Sequence, residues 1–483
     1  MRELIRKHPG FFLVTILSGV ALRLLFIAKF PAITPDSLFY GDIAKNWLRH
    51  GIYGTTVSWG ISPTYIRLPG YPGFLALIFT VFGMEHYRTV LLAQLLVDLG
   101  TCFLIADLAR RLIGTRAAKV AFLFSALCPF LANYVAAALT ETLEIFFTAL
   151  ALDLTVIGFR SLKEKPYAPW VGCGLATGAA ILLRPDGGIL LLTIGVYFVY
   201  VLLKQIFSHK PYAQVLRAGI IVGVVSVAPL APWTLRNLRV FHEFQPLAPR
   251  YANEKNEFVP SGFHRWVKTW IVDYVSVEEV YWSVPGDKVD PATLPARAFD
   301  SEQQRQETME LLENYNQGQR MTPALDAQFS ALAEQRIHNR PTQYRLWLPL
   351  ARIADMWLRP RAELLPADTR WWEFDDDLKW SVLTVLLGTI NLLYVVAALG
   401  GLLRNRALPG LGLLLMFVLL RSAFLGTMEN PEPRYVLECY PVVILLAAAL
   451  FQKTLSQRRI RHTEAGTDVL GDQFDGDPVG DRI

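Results

Sequence analysis

Apolar runs long enough to cross a lipid bilayer recur along almost the whole of this 483-residue chain. A helix needs about 20 mainly apolar residues to cross the hydrocarbon core of a bilayer. With 53% hydrophobic and only 18% charged residues, the chain is predicted to be an all-α polytopic membrane protein. We count about ten predicted transmembrane helices, at residues 11–30, 90–112, 120–134, 143–159, 170–183, 189–203, 215–233, 380–403, 410–425 and 436–451.

The charged residues between these runs predict the orientation of the chain in the membrane. Cytoplasmic loops of membrane proteins carry an excess of lysine and arginine. Here these residues precede the first run and are concentrated after every second run, at 110–119, 160–165, 204–210, 404–406 and 458–462. Both termini are therefore predicted to be cytoplasmic, in a plasma membrane of bacterial type. The same loops account for the net charge of +5, which does not indicate a nucleic-acid partner.

The first loop on the outer side, residues 31–82, is long and mainly polar. It has Asp36 soon after the first run, and it ends in a turn rich in proline and glycine that precedes a short apolar run at 74–82. Because that run is too short to cross the bilayer, we expect a re-entrant or interfacial helix there. This loop is predicted to carry the functional site.

Composition divides the chain into four parts. Residues 1–239 form an N-terminal transmembrane module that includes the first outer loop. Residues 240–379 are polar and too numerous for a connector, so they predict a small extracytoplasmic helix-rich subdomain. Within it, 344–361 mixes tryptophan and leucine with arginine, as an amphipathic helix at the membrane interface does. Residues 380–452 hold the last transmembrane helices, and 453–483, rich in aspartate and glycine, predict a disordered cytoplasmic tail.

The spacing of cysteine and histidine does not indicate a metal cluster. The four cysteines lie inside apolar runs without CxxC spacing, so they predict neither a disulfide framework nor a zinc site. His264, in the polar subdomain, has no partner at ligand spacing, and we expect it to be structural.

Charged residues converge on the outer ends of the predicted spans. A charge at membrane depth is costly and usually faces a cavity or a partner, so this convergence predicts a site. Arginines can bind an anionic phosphate through bidentate hydrogen bonds, and a carboxylate can accept a proton from an attacking hydroxyl or amine. The residues are Asp36, Asp42, Arg67, Glu141, Arg184, Asp186, Arg236, Glu432 and Arg434.

Several short motifs follow one another along the chain. They are Pro35-Asp-Ser-Leu-Phe-Tyr40 with Arg67-Leu-Pro-Gly-Tyr-Pro72, the basic loop 110–119, Leu139-Thr-Glu-Thr-Leu143, Leu183-Arg-Pro-Asp-Gly187, Pro232-Trp-Thr-Leu-Arg-Asn237 and Glu432-Pro-Arg-Tyr435. Together they resemble the GT-C superfamily of glycosyltransferases, and within it the protein O-mannosyltransferase-like branch, which includes the lipid A aminoarabinose transferases. The resemblance covers roughly 2–451 and is weakest across 240–379. It implies a transmembrane fold of the GT-C type.

The resemblance also implies an activity. Such enzymes transfer a sugar from a polyprenyl-phosphate-linked donor to a lipid, glycan or protein acceptor on the outer face, with inversion at the anomeric carbon. Asp36 is implied as the catalytic base, and Glu141 as a second acid of the site. The residues implied in substrate binding are Arg67, Tyr71, Arg184, Arg236, Arg434 and Tyr435. Arg67 and Arg434 are the first candidates for the donor phosphate, and the two tyrosines also suit packing.

Some alternatives stay open. Positive charge or a divalent metal ion must stabilise the leaving phosphate, and many relatives have Asp-Glu where this chain has Asp36-Ser37, so the metal requirement is undecided. Another polymerase or ligase of lipid-linked glycans would use similar chemistry. A multi-pass transporter of an anionic solute would need charges in the middle of the membrane and broken helices in symmetric positions. Here the charges lie at one face, which favours the enzyme.

Overall fold

The computed structural model describes residues 1–164, 167–374 and 377–452. An antiparallel hairpin of β1 (Gly54–Val57) and β2 (Gly60–Pro63) lies in the first outer loop. The tail predicted at 453–483 lies outside the described residues. The helices, in chain order, are α1 (Arg2–Lys7), α2 (Pro9–Lys29), α3 (Pro35–His50), α4 (Gly70–Phe82), α5 (Tyr87–Leu112), α6 (Thr115–Ala126), α7 (Pro129–Val135), α8 (Glu141–Arg160), α9 (Ala168–Leu183), α10 (Gly188–Phe207), α11 (Ala213–Val227), α12 (Leu230–Phe241), α13 (Ser261–Lys268), α14 (Tyr274–Ser276), α15 (Glu302–Gly318), α16 (Pro323–Asn339), α17 (Leu348–Leu358), α18 (Leu378–Arg404), α19 (Leu411–Gly426) and α20 (Tyr440–Ala449).

Within these described ranges, six helices are long and apolar enough to cross a membrane, or seven if the bent pair α6–α7 is one span. The predicted all-α polytopic fold is confirmed, whereas the count of ten spans is not. The other three predicted runs correspond to α9, α19 and α20, with 16, 16 and 10 residues. They fall short of the roughly 20 residues of a full crossing. In the last of them, a 3-10 helix at Pro433–Cys439 replaces the start of the predicted span.

The α6–α7 pair is bent by 49°. The bend falls just before Pro129, because proline lacks an N–H and disfavours a helical conformation in the residue before it. The buried Arg23 of α2 donates hydrogen bonds to the carbonyls of Ser125 (3.2 Å) and Ala126 (2.5 Å) beside the bend. Its Nε also donates to the carboxylate of Asp98 on α5, at 2.5 Å. One arginine thus joins α2, α5 and the broken helix.

A capping box fixes the start of α3. The Ser37 backbone N–H donates to the Thr34 hydroxyl (3.3 Å), and the Thr34 backbone N–H donates to Ser37 Oγ (3.1 Å). Pro35 suits the first helical position, where a backbone N–H would have no helical partner. Ser37 therefore has a structural role, because it holds the first turn of the helix that carries Asp36.

The β-hairpin of the first outer loop is held from two helices. Asp42 of α3 accepts hydrogen bonds from the backbone N–H and the hydroxyl of Thr56, at 2.6 and 2.9 Å. Arg236 of α12 donates to the carbonyls of Tyr53 (2.6 Å) and Thr64 (2.7 Å). The hairpin was not predicted, and it makes the loop a folded unit rather than a polar connector.

The segment between α12 and α18 has a hydrophobic core of its own. Trp266 and Trp270 are fully buried there and pack with Phe329 of α16. The carboxylate of Asp326 caps α13, because it accepts hydrogen bonds from two backbone N–H groups at the start of that helix. This core is separate from the clusters that hold the bundle helices together.

Two arginines, of which Arg352 is buried, dock this segment onto the bundle. Arg352 of α17 donates to the carbonyl of Ile271 (2.8 Å) and to that of Gly426 (3.3 Å) at the end of α19. Arg250 forms an ion pair with Glu429 at 2.9 Å. Because the segment contacts residues 426–429, it lies at the end of the bundle where α19 finishes.

Candidate active site

Irregular segments of the bundle meet at one end. A parallel bridge joins Ala32 to Ala137, and both Arg184 and Arg434 approach Glu141. Helix ends leave backbone groups unpaired and attract polar side chains, so polar residues concentrate here. The segments are 30–34, 136–140, 184–187 and 427–439.

Asp36 is half-exposed at this end. It lies in the first turn of α3, its side chain is 40% exposed, and its Oδ1 accepts a hydrogen bond from Arg67 Nη2 at 3.0 Å. The guanidinium of Arg67 lies over the ring of Phe39, 5.3 Å from its centroid. One arginine therefore orients Asp36, and much of the carboxylate stays accessible to a substrate.

Glu141, the first residue of α8, is enclosed. Its side chain is 5% exposed, and its Oε1 lies 3.8 Å from Arg184 Nη1 and 3.6 Å from Arg434 Nη1. Its other oxygen, Oε2, is buried and has no hydrogen-bond partner within the described part of the chain. Glu141 thus offsets the charge of two arginines and keeps one acceptor atom free.

Tyr435 lies against both of these arginines. Its ring centroid is 4.7 Å from the guanidinium carbon of Arg184 and 5.4 Å from that of Arg434. Its hydroxyl donates to Glu432, whose carboxylate also lies 2.7 Å from Arg434 Nε. The aromatic face attracts the cations and keeps the two guanidinium groups together.

Further ion pairs connect to Arg184. Its Nε lies 3.2 Å from Asp186 and 3.6 Å from Glu144, and Arg421 bridges Asp186 (3.1 Å) and Glu438. Glu144, Arg421 and Glu438 were not predicted as site residues because each lies inside a run read as an apolar span. An ionisable residue within such a run was the signal that could have found them.

We name these residues the arginine–glutamate cluster: Glu141, Glu144, Arg184, Asp186, Arg421, Glu432, Arg434 and Glu438. Its carboxylates outnumber its guanidinium groups, and the arginines lie among the acids. In the described ranges, no three histidine, cysteine, aspartate or glutamate side chains lie close enough to hold a metal ion.

Tyr40 links the Asp36–Arg67 pair to this cluster. Burial raises the pKa of its hydroxyl to about 12, and the charges of Arg67, Asp36, Arg184 and Glu141 all act on that hydroxyl. The open acid and the enclosed acid therefore lie near one buried phenol, at the same end of the bundle.

The described contacts of two other predicted residues are structural. Tyr71 is fully buried, its hydroxyl donates to Gln94 at 2.8 Å, and its ring packs against that of Tyr40. Arg236 binds the backbone carbonyls of the hairpin, and its described hydrogen bonds do not include the arginine–glutamate cluster. A substrate contact remains a prediction for both residues.

Known proteins resemble the chain in sequence over part of its length. The model of the family described as dolichyl-phosphate-mannose-protein mannosyltransferase matches residues 67–233, which is less than half of the chain. The matched stretch contains Arg67, Glu141 and Arg184. A comparison with curated protein sequences finds no match.

Solved structures share the fold. The archaeal oligosaccharyltransferase AglB from Archaeoglobus fulgidus, in complex with an inhibitory peptide and a dolichol-phosphate, has a TM-score of 0.50 at 12% identity, over 98% of this chain and 53% of that one. The chain thus spans about half the length of AglB. ArnT from Cupriavidus metallidurans bound to undecaprenyl phosphate has a TM-score of 0.41 at 13% identity, over 98% of this chain and 82% of that one.

The family match and the likeness to AglB both agree with the resemblance that the sequence motifs indicate. The likeness to AglB establishes the fold, and the family match adds a local likeness in sequence. The resemblance to GT-C glycosyltransferases and the GT-C type of fold are confirmed. With its six or seven apolar helices in the described ranges, the chain is an integral membrane protein.

Proposed function

We propose that this protein is a membrane glycosyltransferase that moves a sugar from a polyprenyl-phosphate-linked donor to an acceptor on the outer face of the membrane. The family match, the fold, the pairing of the open acid Asp36 with Arg67, and the pairing of Glu141 with Arg434 support this proposal. The orientation rests on the basic loops, which predict that the site lies on the side opposite the cytoplasm.

One observation carries the proposal. The half-exposed carboxylate of Asp36 accepts a hydrogen bond from Arg67 at 3.0 Å, Arg67 lies over the ring of the buried Tyr40 at 5.8 Å from its centroid, and the charge of Arg184 also reaches the Tyr40 hydroxyl. A base for the acceptor and positive charge for the donor phosphate are thus close together. A glycosyl transfer with an anionic leaving group needs both.

The proposed reaction is a single displacement. The acceptor hydroxyl or amine attacks the anomeric carbon while Asp36 accepts its proton, so the carboxylate becomes a carboxylic acid. The bond between the anomeric carbon and the phosphate oxygen breaks, and the polyprenyl phosphate leaves with the electron pair. Arg434 and Arg184 stabilise the negative charge that grows on this phosphate. Attack opposite the leaving group inverts the anomeric centre.

Glu141 serves this reaction as a positioning acid. Because it is enclosed and lies within 3.8 Å of two guanidinium groups, it meets the arginines rather than the acceptor. Arg67 orients Asp36 through the 3.0 Å hydrogen bond. The two acids predicted from the sequence therefore take different roles in the proposal.

Release of the lipid phosphate is the measurement that tests the function, because every donor of this class shares that leaving group. The purified full chain is incubated with a panel of synthetic undecaprenyl- and dolichyl-phosphate sugars and with cell-envelope extract as the acceptor source. We expect release of polyprenyl phosphate from at least one donor. If no donor in the panel is turned over, and none binds the protein, the proposal is wrong.

A further inference from the structure

A small cavity lies where the segment between α12 and α18 meets the bundle. Its volume is about 50 Å³, several times the roughly 10–15 Å³ that one water needs by the same measure. The side chains that line it include Tyr274, Glu278, Arg359, Glu363, Asp368 and Trp371.

Glu363 offers a free acceptor at this cavity. Its Oε1 accepts a hydrogen bond from the Tyr134 hydroxyl of α7 at 2.7 Å. Its Oε2 is shielded from solvent and has no hydrogen-bond partner among the residues that the structure describes. The same is true of the indole Nε1 of Trp371, which is a donor. Two residues that line one polar cavity therefore each carry a buried polar atom without a described partner, and a ligand toward which these side chains turn would satisfy both.

The charge of the cavity excludes an anion as its natural occupant. Arg359, the one cation among the described residues that line the cavity, already donates to the carbonyl of Thr369 at 2.6 Å and lies 3.9 Å from Asp355. Glu363, Glu278 and Asp368 supply carboxylates. Carboxylates beside aromatic rings suit a group that donates hydrogen bonds and presents C–H faces. Sugar hydroxyls on a pyranose ring have both properties.

The cavity adjoins the proposed active site. Arg361, two residues before Glu363, donates a hydrogen bond to the carbonyl of Pro433, the neighbour of Arg434, at 2.6 Å, and Glu363 itself accepts one from the Tyr134 hydroxyl. The charge of Arg434 also acts on Glu363. From the other side, the charges of Glu432 and Glu363 both act on the Tyr274 hydroxyl. A ligand in the cavity would therefore lie close to the arginine that the proposed function assigns to the donor phosphate.

We propose that this cavity is a sugar subsite, in which Glu363 accepts a hydrogen bond from a sugar hydroxyl and the Trp371 indole donates one. The subsite rests on the proposed function for its place in catalysis, since there it selects the sugar unit next to the reacting phosphate. The binding property itself does not depend on turnover. The cavity binds neutral hydroxyl-bearing sugars in preference to phosphate.

Binding of simple methyl glycosides tests the subsite without any turnover. Saturation-transfer difference NMR is recorded on the full chain in nanodiscs with methyl glycosides of mannose, glucose and galactose, and with glucosamine. Inorganic phosphate is added as a competitor. We expect contact signals from at least one neutral glycoside, unchanged by phosphate. A signal from glucosamine alone, or one that phosphate abolishes, would contradict the proposal.

Matched variants locate the binding. In Glu363→Gln the Tyr134 hydrogen bond keeps its acceptor but the negative charge is lost, and we expect roughly tenfold weaker binding, as for loss of a hydrogen bond to a charged group. Trp371→Phe should also weaken it. Glu373→Gln is the control, because Glu373 pairs with Arg370 and does not line the cavity. Equal binding by Glu363→Gln and Glu373→Gln would overturn the proposal.

Cysteine labelling gives an independent readout if Glu363→Gln fails to fold. Ala367 lines the cavity, and the four native cysteines are buried. We expect the glycoside to slow labelling of Ala367→Cys by a small methanethiosulfonate, and unchanged labelling would count against the subsite. If the protein turns over a donor but the glycoside does not slow labelling of Ala367→Cys, only the subsite is refuted. Protection without turnover of any donor refutes only the proposed transferase.

Discussion

Asp36 and Glu141 are both acids in the first turn of a helix, yet their surroundings are opposite. Asp36 has a side chain that is 40% exposed and one guanidinium at 3.0 Å, whereas Glu141 is 5% exposed and lies between Arg184 and Arg434. The helix dipole favours an acid at either position, so location in the helix does not distinguish them. The exposed fraction of the side chain and the number of neighbouring guanidinium groups distinguish them.

This difference indicates a division of work between two regions. In the proposed reaction, the open acid takes a proton from the acceptor, and the enclosed acid fixes the cations beside the leaving phosphate. Variants in the first region should therefore lose turnover while the protein stays folded. Variants in the arginine–glutamate cluster should lose stability or donor affinity.

Asp36→Asn should have the largest effect. We expect transfer to fall by roughly 10²–10⁴-fold, the usual contribution of a general base, with donor binding and thermal stability close to those of the wild type. Release of polyprenyl phosphate measures the rate. Asp42→Asn is the control on the same helix, since Asp42 bonds to Thr56 and should leave most of the activity. Near-normal turnover by Asp36→Asn would remove it from the reaction.

Arg421→Met should mainly reduce stability. It leaves Asp186 and Glu438 without a shared cation in a buried site, and breaking such a pair costs about 3–5 kcal/mol. Thermal unfolding of the protein in detergent measures the loss. The double variant Arg421→Met/Glu438→Gln should recover part of it, because one uncompensated charge is gone. No recovery would mean that the cost comes from packing rather than charge.

Asp355 is an acid whose ion pair is longer than those of Arg421, since Arg359 lies 3.9 Å away. Burial raises the pKa of Asp355 from 3.8 to about 6, so the folded protein retains a proton that the unfolded chain releases nearer pH 4. This stabilisation is complete below the unfolded pKa and is lost as the pH rises through the folded one. Asp355→Asn should therefore stabilise the protein by up to about 3 kcal/mol near pH 7.5, with no gain below about pH 4. Melting curves across this range would show whether the gain disappears in acid.

Arg434→Ala should have the smallest of these effects, on donor binding. We expect roughly tenfold weaker binding of polyprenyl phosphate, because one guanidinium–phosphate hydrogen bond is lost. Arg67→Ala should weaken binding less, because Arg67 is engaged by Asp36. Isothermal titration of undecaprenyl phosphate compares the two. If the order is reversed, the phosphate lies over the open acid rather than by the cluster.

Much of the bundle could be predicted because apolar length has a direct physical meaning in a bilayer. The run at 143–159 corresponds to α8 (Glu141–Arg160), and that at 90–112 to α5 (Tyr87–Leu112). The β-hairpin could not be predicted in this way. Its strands have four residues each and are held by Asp42 and Arg236, which are distant contacts that no local pattern contains.

The candidate site was predictable only in part. Glu141, Arg184 and Arg434 lie at the ends of apolar runs, and the structure brings them together. Arg421 and Glu438 lie inside such runs, where their charge was outweighed by apolar neighbours. Their pairing across two helices becomes visible only when α19 and the 3-10 helix at 433–439 are placed side by side.

Arg23 has a consequence for how the chain enters the membrane. Arg23, which belongs to the first long helix, is the described side-chain donor to the carbonyls beside the α6–α7 bend. Without Arg23, the carbonyl of Ala126 would face hydrocarbon without this partner, which is costly in a bilayer. The bend is therefore compatible with lipid when α2 is packed beside it, so a helix from the start of the chain sets the shape that a later one can keep in the membrane.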